Sequence, residues 1–394
     1  MNQGATRLLT ARGLRAFCDG YVAVLLPAYL QALGLGLAEI GLLGSITLAG
    51  SALATLAVGA AGHRVAPRRL LLFAAGLMVA TGIGFAGLSA FWPLAVVAFF
   101  GTLNPSSGDV SLFLPLEHAR LAGAAGDRDA RTRLFARYTL TGSLCAAFGA
   151  LASAVPAWLA QAVGWDLLTA LRLMFLLYAA VGVAVAALYH GLPGTEGAAE
   201  VASAPLGPSR RVVWRLTALF SVDAFAGGLL VNTLLALWLF ERFGLSLAQA
   251  GQFFFLSGLL ATASQLAAPA VARRVGLVNT MVFTHIPANL FLIGAALATS
   301  LPWALGLLLA RSLLSQMDVP TRSAFVMAVV TPPERAAAAS FTAVPRSLAA
   351  AAGPSLGGAL LASGWLAAPL LVGGGLKIAY DLALWWAFRR HPAD

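Results

Sequence analysis

Arg311, Asp318 and Arg322 follow one another at spacings of seven and four residues inside one apolar stretch, LARSLLSQMDVPTRSAFVMAVV at 309–330. On a helix those spacings place all three on one face. After a short polar hinge, Thr331 to Arg335, a second apolar run carries Thr342 and Arg346, again four apart. Charge inside a lipid-length helix is costly, so it faces the bundle interior or a wet cavity and marks an ion or substrate path. A carboxylate held between burial and a neighbouring cation is a group able to take up and release a proton. Asp318 is the first candidate for that chemistry. Its other reading is a structural ion pair with Arg322 or Arg311.

Further ionisable groups sit in other apolar runs. Asp19 and Asp223 sit in the first helices of the two halves of the chain, and aligning them needs a gap. Arg15, four residues before Asp19, is placed to neutralise it, whereas Asp223 has no close partner in sequence. Asp223 is therefore the stronger candidate for coupling or solute contact. Asp109 is read either as a site residue or as a partner for an arginine such as Arg137. Arg346, about 11 residues into its run and ~16 Å deep, is placed to bind an anionic group or to neutralise an aspartate. Lys377 and Asp381, at i, i+4, read as a pair within one helix, and His285 as a satisfied polar residue. Asn232, Gln265, Asn289 and Gln316 read as helix-to-helix hydrogen-bonding groups.

The chain that carries these residues is a membrane chain by composition. Hydrophobic residues make up 60% and charged residues 10% of its 394 positions, with a mean hydropathy of +0.85. Soluble domains average about 25% charged residues. Twelve apolar spans are expected, at 10–33, 37–61, 69–90, 92–118, 132–156, 167–190, 213–240, 246–271, 277–299, 302–330, 335–362 and 366–388. Each is near or above the ~20 residues that cross a hydrocarbon layer. The net charge of +10, from 24 Arg and one Lys against 15 acids, lies mostly in alternate short loops and in the tails. That pattern indicates membrane orientation rather than nucleic acid, with both termini in the cytoplasm. Trp92, Trp165, Trp303 and Trp365 fall at the opposite, outer boundary. No signal-peptide cleavage site precedes the first run, so an uncleaved first helix is expected.

The polar segment GLPGTEGAAEVASAPLGPSRR at 191–211 divides the chain. The expected organisation is a six-helix bundle at 1–190, a cytoplasmic linker at 191–211 and a second six-helix bundle at 212–394. The halves repeat in the same direction. LGLGLAEIGLL (33–43) aligns with FGLSLAQAGQF (243–253), GDVSLFLP (108–115) with MDVPTRSA (317–324), and ARYTLTGSLCAA (136–147) with ASFTAVPRSLAAA (339–351). Such repeats frame a site near the bilayer midplane in many transporters.

With these features the chain resembles the major facilitator superfamily over nearly its whole length. That family has a G-x-x-x-D-R-x-G-R-R/K signature after its second span. Here Gly59, Arg64 and Arg68 match, while His63 replaces the Asp and Ala66 the second Gly. A second copy keeps Arg273, Arg274 and Gly276. The antiporter G-P-x-x-G-G pattern appears as Gly353-Pro354-Ser355-Leu356-Gly357-Gly358, in span eleven rather than span five. The family's fourth-helix Arg is missing from GTLNPSSGDV, and Arg311 is the nearest equivalent.

The resemblance implies an all-α polytopic fold of twelve transmembrane helices in two pseudo-symmetric six-helix bundles. It implies secondary active transport of a small solute by alternating access, coupled to a proton or other ion, with efflux as the default direction. Asp223, Asp318, Arg346, Asp19, Asp109, Arg311 and Arg322 are the expected coupling or solute-binding residues. His63, Arg64, Arg68, Glu117, Arg273 and Arg274 are expected at the cytoplasmic gate. The expected chain is a monomer in the cell (inner) membrane, with no cofactor, no metal site and no nucleic-acid partner. It is expected not to be an enzyme: Walker A, HExxH, GxSxG and Cys/His metal spacings are missing, and Cys18 and Cys145 stand alone in apolar runs. A non-transporting polytopic sensor or a membrane-embedded enzyme is the alternative.

Overall fold

The computed structural model describes residues 3–61, 65–106, 112–124, 128–192 and 206–389. Among them the secondary structure is helical, with no strand. In chain order the helices are α1 (Gln3–Ala32), α2 (Leu37–Ala61), α3 (Pro67–Gly87), α4 (Phe91–Phe100), α5 (Phe113–Ala124), α6 (Arg128–Ala152), α7 (Val155–Val163) and α8 (Leu167–His190). They continue with α9 (Arg210–Gly228), α10 (Asn232–Phe243), α11 (Leu247–Val275), α12 (Leu277–Leu297), α13 (Leu301–Leu314), α14 (Asp318–Val329), α15 (Arg335–Ala362) and α16 (Ala368–Phe388). A 3₁₀ turn at Pro332–Glu334 joins α14 to α15.

Seven stretches are long and apolar enough to cross a membrane by length and composition, among the described residues. Neither α1 nor α16 is among them, although both exceed 20 residues. Their interiors carry Arg15 and Asp19, and Lys377 and Asp381. Hydropathy thus falls short in helices that hold ionisable residues. Trp92, Trp303 and Trp365 are more than half exposed, at helix starts and in a connection, as expected of side chains at a lipid boundary.

Two compact units form. One comprises Met1–Ala199 with Asn232–Phe255, the other Glu200–Val231 with Leu256–Asp394. Within the first, α1 packs on α6 and α3 on α8; within the second, α9 packs on α15 and α12 on α16. The second pairing repeats the first. Glycine permits both central contacts. A Cβ on Gly20 of α1 would lie 2.0 Å from the Ala146 carbonyl oxygen of α6. A Cβ on Gly353 of α15 would lie 2.4 Å from the Gly228 carbonyl carbon of α9. The Gly353-Pro354 element therefore serves the approach of two helices.

The repeat is also visible at single turns. Gly34 and Gly244, aligned in sequence, take left-handed φ values of +86° and +65°. Two residues after each, a backbone N–H donates to a side chain three positions on: Gly36 to Glu39 at 2.8 Å and Ser246 to Gln249 at 3.0 Å. Both are the helix-entry half of a capping box. The second gate motif keeps Gly276 at φ +90°, whereas its counterpart Ala66 stands at φ −55°.

Three spans expected to be continuous are each broken in two. Span 92–118 divides into α4 and α5, span 213–240 into α9 and α10, and span 302–330 into α13 and α14. The causes are local. Asn104-Pro105 follows α4, Gly227-Gly228 ends α9, and Pro320 sits in the first turn of α14, where its missing N–H costs no hydrogen bond. Broken helices free backbone groups that lipid cannot satisfy. Two of the breaks answer each other: the Thr233 N–H donates to the Pro105 carbonyl at 3.1 Å, its hydroxyl to the same oxygen at 3.0 Å, and Asn232 Nδ2 to the Ser106 carbonyl at 3.1 Å.

On the polar α14–α15 connection, Glu334 is buried and accepts hydrogen bonds from the backbone N–H groups of Gly207 and Ser209 and, at 2.6 Å, from the Thr331 hydroxyl. It fastens the entry of α9. The Ser209 and Thr331 side chains, with these backbone donors, hold its carboxyl down to about 2 from an ordinary 4.5. A lowered folded value means the contribution is present above pH 4.5 and lost as pH falls toward 2. Thermal unfolding of Glu334→Gln should therefore show a deficit against the parent at pH 7 that shrinks steadily as pH falls from 4.5 toward 2; a deficit independent of pH would refute this role. Gly353→Ala should lose about 1–3 kcal/mol by overpacking. Gly375→Ala, where a Cβ meets nothing within 4 Å, is the matched control and should unfold like the parent.

Candidate functional site

In the second unit, five helices bring six charged side chains into one electrostatic neighbourhood. Asp223 comes from α9, Arg311 from α13, Asp318 and Arg322 from α14, Arg346 from α15 and Lys377 from α16. Lys377 Nζ donates to Asp223 Oδ1 at 2.6 Å, and Arg322 Nη1 donates to Asp223 Oδ2 at 3.0 Å. Arg322 Nη2 lies 3.1 Å from Asp318 Oδ2. One guanidinium thus bridges two carboxylates, and one carboxylate holds two cations. Asp223, Asp318, Arg322 and Lys377 are all buried. Asp318 is the first residue of α14, where the positive end of the helix dipole favours a carboxylate.

Beside this cluster stands a second layer of buried polar side chains. His285 Nδ1 of α12 lies 3.0 and 3.1 Å from the two Asp381 carboxylate oxygens, and Asn289 Nδ2 donates to the same carboxylate at 3.4 Å. The Arg322 guanidinium carbon sits 5.6 Å from the centre of the Phe220 ring. Phe220 and Tyr380 belong to an apolar core with Leu216, Met281, Phe325 and Leu384. The charged groups therefore rest on a dry floor, which strengthens their mutual attraction.

The pairing of Lys377 with Asp381 expected from their spacing does not form. Lys377 turns to Asp223 on α9, and Asp381 turns to His285 on α12. Across-helix partners with full desolvation outweigh a neighbour on the same helix. Lys377 was absent from the expected site. The available signal was its type: it is the one lysine in a chain of 24 arginines, and it stands inside a span.

The other expected site residues lie elsewhere. Asp19 belongs to the first unit. There Arg15 pairs with Glu117 of α5. The Glu117 carboxylate also accepts from Tyr138 of α6 and from Tyr189 of α8 at 2.6 Å, and it is fully buried. Four helices are thereby fastened through one carboxylate. Arg68 donates to the His190 carbonyl at the end of α8, and Arg273 and Arg274 are exposed in the last turn of α11, where cations suit the dipole. Asp109, His63 and Arg64 lie outside the described residues. The expected polar contacts include Gln265 to Gln316 at 3.3 Å. No group of three or more potential metal ligands occurs among the described residues.

The profile of the Major Facilitator Superfamily matches residues 8–316. A Saccharomyces cerevisiae protein, "Uncharacterized membrane protein YJR124C", is 25% identical over 94% of this chain and 91% of its own length. The crystal structure of the nucleoside transporter NupG superposes with a TM-score of 0.75 at 17% identity, covering 99% of this chain and 100% of that one. The human organic anion transporter MFSD10 (TETRAN) superposes at 0.66 with 19% identity, covering 97% and 99%.

Removing one partner of a buried ion pair strands the other, at a cost of about 3–5 kcal/mol. Lys377→Met and Asp223→Asn should each lower the unfolding temperature of the detergent-solubilised protein. The double variant, which strands neither, should recover part of the loss. Strictly additive losses would show that the two side chains do not depend on each other.

Proposed function

Because the chain belongs to the Major Facilitator Superfamily, we propose that its buried ion-pair cluster makes it a secondary active carrier, moving a small solute by alternating access in exchange with protons. Family and fold make it a membrane transporter. The observation supporting proton coupling is that Asp223, Asp318 and Arg322 form one shared system. Among the described residues Asp223 pairs with two cations, whereas Asp318 pairs with Arg322, which it shares. When conformational change draws Arg322 toward Asp223, Asp318 is the carboxylate left to exchange its cation for a proton. Pairing with Arg322 and protonation exclude each other at Asp318, so the proton follows the conformational cycle that carries the solute.

We place the chain in the cell membrane with both termini cytoplasmic, on the arginine-rich alternate loops. Efflux is the direction taken from the family resemblance. NupG and MFSD10 are named for nucleosides and for organic anions, so the shared fold leaves the solute to the side chains.

A solute found by thermal-shift screening of the purified protein provides the test in proteoliposomes. Asp318→Asn should lose at least about tenfold of pH-gradient-driven accumulation, a loss of ~1.4 kcal/mol or more in driving the step, while keeping solute counterflow. Full gradient-driven activity with an unchanged pH profile would remove Asp318 from coupling.

A further inference from the structure

The charged cluster of the second unit is not balanced. Arg311, Arg322, Arg346 and Lys377 face Asp223 and Asp318, and even with Asp381 included the cations exceed the carboxylates. Both carboxylates are already engaged by Arg322 and Lys377. Arg346 makes no hydrogen bond or ion pair among the described residues, and its side chain is exposed. Nε of Arg311 is buried without a hydrogen-bond partner.

The exposure of Arg346 is not that of a lipid-facing residue. Seven positions on, along the same face of α15, Gly353 packs against Gly228 of α9. The strongest charge acting on Arg346 is the like charge of Arg322, ahead of Asp223 and Asp318. A guanidinium that deep is usually matched by an anion. Here the protein supplies cations and withholds the anion.

We propose, resting on the carrier reading above, that the transported solute is a small organic anion whose carboxylate or phosphate group is held by Arg346. The guanidinium fork presents parallel N–H donors that suit the two oxygens of either group. Arg322 and Lys377, tied to the aspartates, set the positive field without spending their donors on the solute. Binding of the anion removes the surplus charge, and this neutralised state is the one whose movement through the membrane is least opposed.

The local field can be measured without knowing the solute. In a Cys18→Ser, Cys145→Ser background, Ala343→Cys and, separately, Ala350→Cys place a thiol one turn before and after Arg346. Each is treated with an anionic and with a cationic methanethiosulfonate of similar size. The anionic reagent should be favoured about tenfold or more relative to its ratio on free 2-mercaptoethanol, because charged clefts concentrate counter-ions. Arg346→Gln should reduce that preference several-fold. Benzoate or inorganic phosphate should slow modification by neutral methyl methanethiosulfonate, and benzylammonium should not. A cationic preference, an unreachable thiol at both positions, or protection by benzylammonium overturns the proposal. Cation flux in proteoliposomes would defeat this inference and leave the carrier reading standing. An anionic preference without flux of any solute would defeat the carrier reading and leave the site.

Discussion

A charge placed inside a lipid-length helix must find its opposite, and the internal arrangement of each unit follows from that constraint. Asp223 lies on α9, which alone offers it no partner. It is stabilised because α14 and α16 deliver Arg322 and Lys377 to its two oxygens. Those contacts fix the rotation of three helices about their axes. The Glu117 network does the same in the first unit, drawing α1, α6 and α8 onto α5. Apolar packing tolerates small rotations, whereas a desolvated ion pair that slips loses far more than a displaced leucine. The charges therefore set the register of the bundles, beyond whatever they do for a solute.

The helix breaks belong to the same account. A continuous span would carry Asp318 at mid-helix, with no dipole end nearby. Ending α13 at Leu314 and restarting at Asp318 gives that carboxylate the N-terminus of a helix. Pro320 suits the restart, because in the first turn of a helix its missing N–H is not called on. In the first unit, the break before α10 supplies donors to the carbonyls exposed after α4. Interruptions are thus compensated in pairs, or used to hold charge.

The architecture was legible because lipid imposes it on composition. Long apolar runs, the polar segment at 191–211 and the aligned repeats can all be read without coordinates. So could Asp223 and Asp318 as separate candidates, since each is too costly in lipid to be incidental, but not their link through Arg322. The breaks were not read, because hydropathy averages over Asn104-Pro105 and Gly227-Gly228 as if they were ordinary residues of a span. Lys377 was assigned to the wrong partner for a related reason. Spacing reports neighbours on one helix, while the winning contact came from α9, 154 residues away in sequence. His285 likewise gave no sign of Asp381, a partner 96 residues distant.

The two units share packing and diverge in charge. Glycine contacts between the first and fifth helices, left-handed glycines at the second-helix entry and side-chain caps three residues on occur in both repeats. These features depend on backbone geometry, and a duplicated fold retains them or loses its helix pairs. The ionisable groups obey a weaker rule, because pairing constrains only their sum. In the first unit the Arg15–Glu117 pair closes on itself with two phenols completing the carboxylate's hydrogen bonds. In the second, Asp223 and Asp318 are outnumbered by Arg311, Arg322, Arg346 and Lys377. A closed network is suited to fastening helices. An open one has interaction left to give, and that surplus is what the proposed anionic solute would take up.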